Sequence, residues 1–432
     1  MDSVKVGLIG FGTIGAGVAE ILLGKADMIA RTTGKKIELA KICDKNTTAD
    51  RGVAVPPGVL TDDMSEILDN PEISLVIELI GGVDVARTVV LRALEAGKDV
   101  VTANKALIAN CGPELFEKAR SLGRTIGFEA SVCGGVPVLA SLQTSLLANR
   151  IESIKAIVNG TCNFILSQME ENGADYQDAV KEAQRLGFAE ANPTLDVDGT
   201  DSTQKLAILA QLAFGAAVDW KAIPRVGVDV VDALDVRYAR ELGRRVRLLA
   251  VAERTDEGLE LKVAPTLIPE TSPLAKVTNA FNAVQIVGDS VGELFYQGWG
   301  AGRRPTASAV CSDVIDAALG RTPVTFNSLN LWSDRREGTP IKDAKKIEGR
   351  AYLRLEVDDR PGVMAAISDA LGRRGISIAS MIQHASADAE NPRVPLIILT
   401  HAATNDALDA AIAELDAADF THGKTTRLAL LD

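Results

Sequence analysis

Histidine is nearly missing from this chain: three residues in 432, His384, His401 and His422, all beyond Gln383. Everything before that point must move protons without imidazole. This excludes Ser/His and Cys/His nucleophiles and histidine-ligated metals from the main body, unless the tail folds back. Cysteine is sparse as well. Cys43, Cys111, Cys133, Cys162 and Cys311 lie far apart with no CxxC pair, which indicates neither a disulfide framework nor a structural zinc site. Positive charge is also short, and a net charge of −12 speaks against nucleic acid or an anionic membrane as partner. No apolar run reaches the roughly eighteen residues of a membrane span, and a strand entered at Val4 leaves no room for a leader, so a cytoplasmic protein is expected.

What is present is an ordinary globular composition, 47% apolar and 24% charged, long enough for two or three domains. From Val4 the strand VKVGLIG runs into GFGTIG and then into a helical stretch through Leu23. Further strands are expected at Ile37 to Cys43, Leu75 to Ile80, Asp99 to Ala103 and Thr125 to Ala130, alternating with helices. Such alternation predicts an α/β, Rossmann-like doubly wound parallel sheet. GxGxxG carries weight only at the first strand-to-helix turn, and that is where it sits. Gly10, Phe11, Gly12, Thr13, Ile14 and Gly15 are therefore expected to cradle a dinucleotide pyrophosphate at a helix N-terminus. At the end of the second strand, ICDKN offers Asp44 for a ribose 2′-hydroxyl, as NAD requires. No arginine stands beside it in sequence, but Lys41 and Lys45 are near enough to meet a 2′-phosphate. Both cofactors stay open, with a lean to NAD.

The richest stretch is GFAEANPTLDVDGTDSTQK, Gly187 to Lys205. Glu190, Asp196, Asp198 and Asp201 gather there before a helix whose continuation, Leu206 to Ala210, is apolar on every face and therefore interior. Asp201 is expected to cap that helix with Gln204 completing a capping box. Lys205 in the first turn opposes the macrodipole, where an acid would be stabilising, and this marks it as functional. Ile151 to Asn159, Val246 to Glu253 and Leu259 to Thr266 read as antiparallel strands of an α+β substrate domain. GWGAGRRPTASAV supplies a glycine-rich turn into a helix starting near Thr306. The polar, proline-broken stretch after Thr322 reads as a linker.

In order along the chain, GLIGFGTIGAGV, VVTANKALIA, EASVCGGVPV, NGTCNFIL, GFAEANPTLDVDGTDSTQKLAIL and GAGRRPTASAV resemble the homoserine dehydrogenases. These enzymes interconvert aspartate 4-semialdehyde and homoserine with a nicotinamide cofactor, in threonine, methionine and isoleucine biosynthesis. The resemblance implies a proton donor at Lys205, substrate binding by Glu190, Gly160 and Thr161, and a second acidic site residue at Asp201. It implies a residue reaching cofactor and active site at Lys105, and cofactor contacts at Gly187 and Gly302. It further implies a monovalent cation, Na or K, on backbone oxygens of Glu129, Val132, Gly134 and Val136. Cys162 stands where NGTTN is usual. Cys43 stands where many relatives carry the arginine that holds the NADP 2′-phosphate.

The last eighty or so residues, beginning LRLEVDDRPGVMAAISDALGRRGISIASM, resemble an ACT domain, a βαββαβ module that binds amino acids. The resemblance implies that Asp359 and Gly362 face an effector, threonine being the usual one, or that the module serves assembly alone. The expected division is 1–135 for the nucleotide, 136–321 for substrate and catalysis with its last helix returning to the nucleotide domain, 322–349 as linker and 350–432 as ACT domain. A homodimer or homotetramer is expected. An acyl-forming aldehyde dehydrogenase would need an activated thiolate, and a sensor without catalysis would have no use for Lys205, Glu190 and Asp201 together.

Overall fold

A computed structural model of the chain describes residues 2–333, 338–384 and 393–431. Two compact units emerge, each assembled from three stretches of chain: 1–154, 202–222 and 281–339 in the first, and 155–201, 223–280 and 340–432 in the second.

The first unit holds a parallel sheet of β1 (Ser3–Ile9), β2 (Lys36–Cys43), β3 (Leu60–Thr61), β4 (Ile73–Glu78), β5 (Asp99–Thr102) and β6 (Ile126–Gly127), in the order β3-β2-β1-β4-β5-β6. Its strands are near-continuous apolar runs because helices cover both faces, and Leu8, Ile42, Val76 and Ile77 are fully buried. The order reverses between β1 and β4, the switch point at which such sheets bind dinucleotides. Three details differ from the sequence expectation. β3 is only two residues long, too short to show a pattern, and β4 begins and ends two residues earlier than expected. The expected fifth strand is cut to Ile126–Gly127, because Glu129–Ser131 turns as a 3-10 helix.

Helix Arg303–Ala318 belongs to the same unit and begins three residues before the expected Thr306. It packs on helix Thr13–Gly24, where a Cβ on Gly17 would come within 2.7 Å of the Arg303 carbonyl oxygen. The stretch expected as linker opens instead with a helix, Arg321–Leu329. Phe326 and Trp332 then join Phe116 and Phe128 in one aromatic cluster, with ring centroids 4.4 Å apart for Phe116 and Trp332. Composition misleads here because the few apolar residues of a polar stretch carry its packing. Residues 334–337 of that expected linker lie outside the described residues.

In the second unit, strands Arg244–Thr255 and Gly258–Pro269 form the expected antiparallel hairpin, turning at Asp256 and Glu257. The C-terminal module follows the expected βαββαβ order: strand Glu348–Asp358, helix Val363–Gly372, strands Ile378–Gln383 and Arg393–Thr400, helix Asn405–Asp416 and strand Thr426–Leu430. Its last strand pairs in parallel with the hairpin, Ala429 opposite Thr266 and Leu430 opposite Leu267. The module's sheet thereby continues the hairpin's, and a bare edge becomes an internal neighbour. A fully buried carboxylate, Asp235 of helix Ala233–Glu241, accepts from Tyr352 Oη at 2.9 Å and from Arg354 Nε at 2.6 Å.

Candidate active site

The glycine fingerprint is built as the sequence implied. Gly10 has φ +103°, open to glycine alone, and a Cβ there would meet the Leu79 carbonyl oxygen at 2.4 Å. A Cβ on Gly15 would lie 2.0 Å from the Gly10 carbonyl oxygen. Gly12 differs, since a Cβ there would meet no protein atom within 4 Å. The protein does not need that glycine for its own packing. The room it leaves, in front of a helix start with no acid in its first turn, fits a pyrophosphate.

Around the end of β2, Asp44 Oδ2 accepts the Phe11 amide at 2.7 Å and Oδ1 accepts the Asn46 amide at 2.9 Å. An arginine does stand beside Asp44, contrary to the sequence expectation: Arg51 Nη2 lies 3.8 Å from Asp44 Oδ1, brought back by the loop after β2. Arg303 reaches the same loop, Nη1 standing 4.0 Å from where a Cβ of Gly52 would be. The Nε atoms of Arg51 and Arg303 are buried without a hydrogen-bond partner among the described residues. Lys41, one of the two lysines considered for a 2′-phosphate, is engaged by Glu66, whereas Lys45 is exposed.

Also in the first unit, Lys105 opens helix Lys105–Ser121, capped by the Asn104 side chain, which accepts the Leu107 amide at 3.1 Å. Gly302, at φ +113°, is the N-cap of helix Arg303–Ala318. The EASVCGGVPV loop turns through two successive left-handed residues, Cys133 at φ 55° and Gly134 at φ 39°. Glu129 is buried there, and its carboxylate accepts the amides of Leu139 at 3.2 Å and Ala140 at 2.5 Å. Burial nevertheless pushes this carboxyl up to about 7. The carbonyls of Glu129 and Val136 each accept one amide, from Val132 and Val138, and a carbonyl has a second lone pair for a cation.

Helix Thr200–Phe214 begins in the second unit and continues in the first, and from Leu206 to Ala210 it is buried as expected. Asp201 is not its cap. The helix starts one residue earlier, and Asp198 leads into it by accepting the Thr200 amide at 2.8 Å and the Thr200 hydroxyl at 2.9 Å. Released from capping, Asp201 is buried in the first turn, and Lys205 follows one turn later, half-buried.

In the second unit, a residue that motif-reading passed over gathers the acids. Asn159 Nδ2 donates to Asp196 Oδ1 at 2.8 Å and to Asp201 Oδ2 at 2.9 Å, while its Oδ1 accepts the Cys162 amide and caps helix Gly160–Asn172. The signal available in sequence was an asparagine ahead of a helical GTCNFIL run, a capping position. Gly160 and Thr161 form the first turn of that helix, and the Thr161 hydroxyl donates to the Phe188 carbonyl at 2.6 Å. The Cys162 thiol donates to the Asp196 carbonyl at 3.2 Å. Glu190 is exposed on the loop after Gly187, its carbonyl accepting from Gln184. In the C-terminal module, Gly362, at φ +95°, precedes helix Val363–Gly372, and Asp359 accepts from Gln383 at 3.1 Å.

Residues 137–315 match the homoserine dehydrogenase family, 10–129 the NAD-binding domain of homoserine dehydrogenase and 351–419 the ACT domain. A homoserine dehydrogenase of Pseudomonas aeruginosa is 43% identical over 99% of both chains. The chain belongs to the homoserine dehydrogenase family. It is an NAD(P)-dependent oxidoreductase. Another relative, from Neisseria gonorrhoeae, is 40% identical over 97% of this chain and 96% of its own. Among solved structures, a homoserine dehydrogenase from Thiobacillus denitrificans superposes with a TM-score of 0.92 at 42% identity, covering 100% of this chain and 99% of its own. A hyperthermophilic archaeal homoserine dehydrogenase in complex with NADPH gives 0.63 at 30% identity, covering 74% of this chain and 98% of its own.

Proposed function

We propose that Lys205 is the proton donor in the reversible reduction of L-aspartate 4-semialdehyde to L-homoserine. The observation that carries this reading is an ammonium-bearing side chain one turn beyond a buried carboxylate, directly ahead of the buried apolar run Leu206 to Ala210 of the same helix. When bound, the nicotinamide supplies the hydride for the aldehyde carbon. The carbonyl oxygen then gains charge, which the Lys205 ammonium stabilises and neutralises by giving up a proton. Asp201 and Glu190 bind the substrate ammonium. Asn159 fixes the Asp201 carboxylate and, with its other amide hydrogen, holds Asp196 in place. Lys105, at a helix start, reaches cofactor and substrate. Gly160 and Thr161 offer the first turn of a helix to the substrate carboxylate. Gly187 and Gly302 serve the cofactor.

The reductant is NADH or NADPH. Asp44 takes a ribose hydroxyl, and Arg51 with Arg303 supplies the cations for a 2′-phosphate that Cys43 lacks, each keeping a buried Nε free of protein partners among the described residues. Backbone oxygens of Glu129, Val132, Gly134 and Val136 hold Na or K. Threonine, bound near Asp359 and Gly362, feeds back on the enzyme, which works in the cytoplasm as a homodimer or homotetramer within threonine, methionine and isoleucine biosynthesis.

Three of the five thiols speak against an acyl-forming route. Burial pushes Cys43 and Cys111 up and Cys311 to about 12, the opposite of an activated nucleophile. One assay tests the reading: absorbance of reduced nicotinamide with aspartate semialdehyde, with each cofactor, and with and without threonine. Lys205→Ala is expected to lose about a hundred- to ten-thousandfold in kcat, while Glu190→Gln chiefly raises the substrate KM. A wild-type kcat in Lys205→Ala would remove the assignment.

A further inference from the structure

Glu78, the last residue of β4, is 0% exposed at the switch point of the nucleotide sheet. Burying a carboxylate is costly, and well-packed apolar groups serve stability as well or better. Its partners explain why an acid is there. Glu78 Oε2 accepts from the Thr102 hydroxyl at 2.7 Å and Oε1 accepts the Ile80 amide at 2.8 Å, with the Gly81 amide and Asn104 side chain also contributing. Thr102, itself fully buried, accepts in turn the Asn104 amide at 3.0 Å. The ring closes where Asn104 Nδ2 donates to the Gly82 carbonyl at 2.6 Å.

This ring ties two loops. The first, Leu79 to Gly82, leans on the fingerprint: the Leu79 amide donates to Ile9, and the Leu79 carbonyl is the atom that forbids a side chain on Gly10. The second is the turn whose Asn104 caps the helix opened by Lys105. Gly81 and Gly82, both left-handed at φ 80° and 69°, have open space where a Cβ would be, so packing does not hold these two residues, although Leu79 packs on the core. Glu78 and Asn104 hold it by hydrogen bonds. We propose that the Glu78–Thr102–Asn104 ring is a positioning device that fixes Lys105 relative to the cofactor-binding glycine loop. The inference rests on the proposed role of Lys105. Every hydrogen bond around Glu78 is donated to it, so an amide at this position would turn its own donor towards one of the other donors.

The experiment uses the full-length enzyme. Thr102→Val removes the hydroxyl that both donates to Glu78 and accepts from Asn104, at almost constant volume. Thr102→Ser restores the hydroxyl, and Glu78→Gln tests the other end. Thr102→Val and Glu78→Gln are expected to lower kcat and raise the KM for reduced nicotinamide, together up to about a hundredfold in efficiency. Thr102→Ser should recover most of the loss. In a Lys105→Ala background, Thr102→Val should cost little more, because the two act through one group.

If Thr102→Val lowers only the melting temperature and leaves kcat and cofactor KM at wild type, the ring is structural and the proposal is overturned. Equal losses from Thr102→Val with and without Lys105 also overturn it, while leaving the role of Lys105 intact. A wild-type kcat in Lys105→Ala would fell the reading of Lys105 and the proposal with it. Should Glu78→Gln fail to fold, the Thr102 pair alone decides.

Discussion

At the residue scale, charge is placed by partners that the sequence hides. Asp44 was legible as a ribose ligand, but Arg51, seven positions on, met it only when the loop folded back. Arg51→Ala is therefore expected to raise the KM for NADPH several-fold and leave that for NADH nearly unchanged, measured in the nicotinamide assay. Loss with both cofactors alike would instead make Arg51 a structural partner of Asp44. Glu129 offers a pH test. Its folded value of about 7 lies above the ordinary 4.5, because burial penalises its charged form. The fold thus holds this proton more tightly than the unfolded chain does, so the stabilisation is complete below about 4.5 and lost as pH rises through 7. The drop in melting temperature caused by Glu129→Gln should accordingly shrink between pH 5 and pH 8. A drop that grows with pH would show the carboxylate to be favoured as its anion.

Lys205, Glu190, Asp201 and Lys105 are legible in the sequence and its family resemblance. Asn159, which holds Asp201, and Glu78, whose hydrogen bonds lead through Thr102 to the residue before Lys105, are not. Beside their local bonds, each makes its case through a donor or acceptor distant in sequence, such as Asn159 to Asp201 or Glu78 to Thr102.

At the scale of elements, glycines in one motif have separate duties. Gly15 answers a steric demand of the protein, whereas a Cβ on Gly12 would meet only open space. Gly15→Ala should destabilise by about 3 kcal/mol or more as backbone is forced aside, read by denaturant unfolding. Gly12→Ala should leave unfolding nearly unchanged and weaken nucleotide binding, read as a raised KM or as lost fluorescence of bound reduced nicotinamide. Comparable destabilisation by both would mean that the open space at Gly12 is needed by the fold. Helix boundaries show the same division between local and distant causes. The interior character of Leu206 to Ala210 was visible in composition, yet the start at Thr200 was set by Asp198, leaving Asp201 for Asn159.

Across the whole molecule, the ACT module is no pendant. Within the second unit its last strand completes the sheet of the hairpin formed by Arg244–Thr255 and Gly258–Pro269, and Asp235 is buried against Tyr352 and Arg354 of its first strand. Arg354→Met would leave that carboxylate buried without its cation, and a loss of about 3 kcal/mol is expected in equilibrium unfolding. A threonine response measured on the same variant would report whether the buried pair also carries regulation. Unchanged stability would mean that Asp235 finds another partner or takes up a proton.

Periodicity determined the strand and helix alternation and the doubly wound sheet, because each depends on neighbours within a turn or a strand, while the resemblance of its motifs implied the βαββαβ tail and the roles of Glu190 and Lys105. Tertiary structure alone decided which strand the tail would pair with, that a polar stretch would form a helix and lend Trp332 to an aromatic cluster, and which amides and hydroxyls would hold the acids. Hydrogen bonds and burial act between residues whose separation along the chain carries no information about their distance in space.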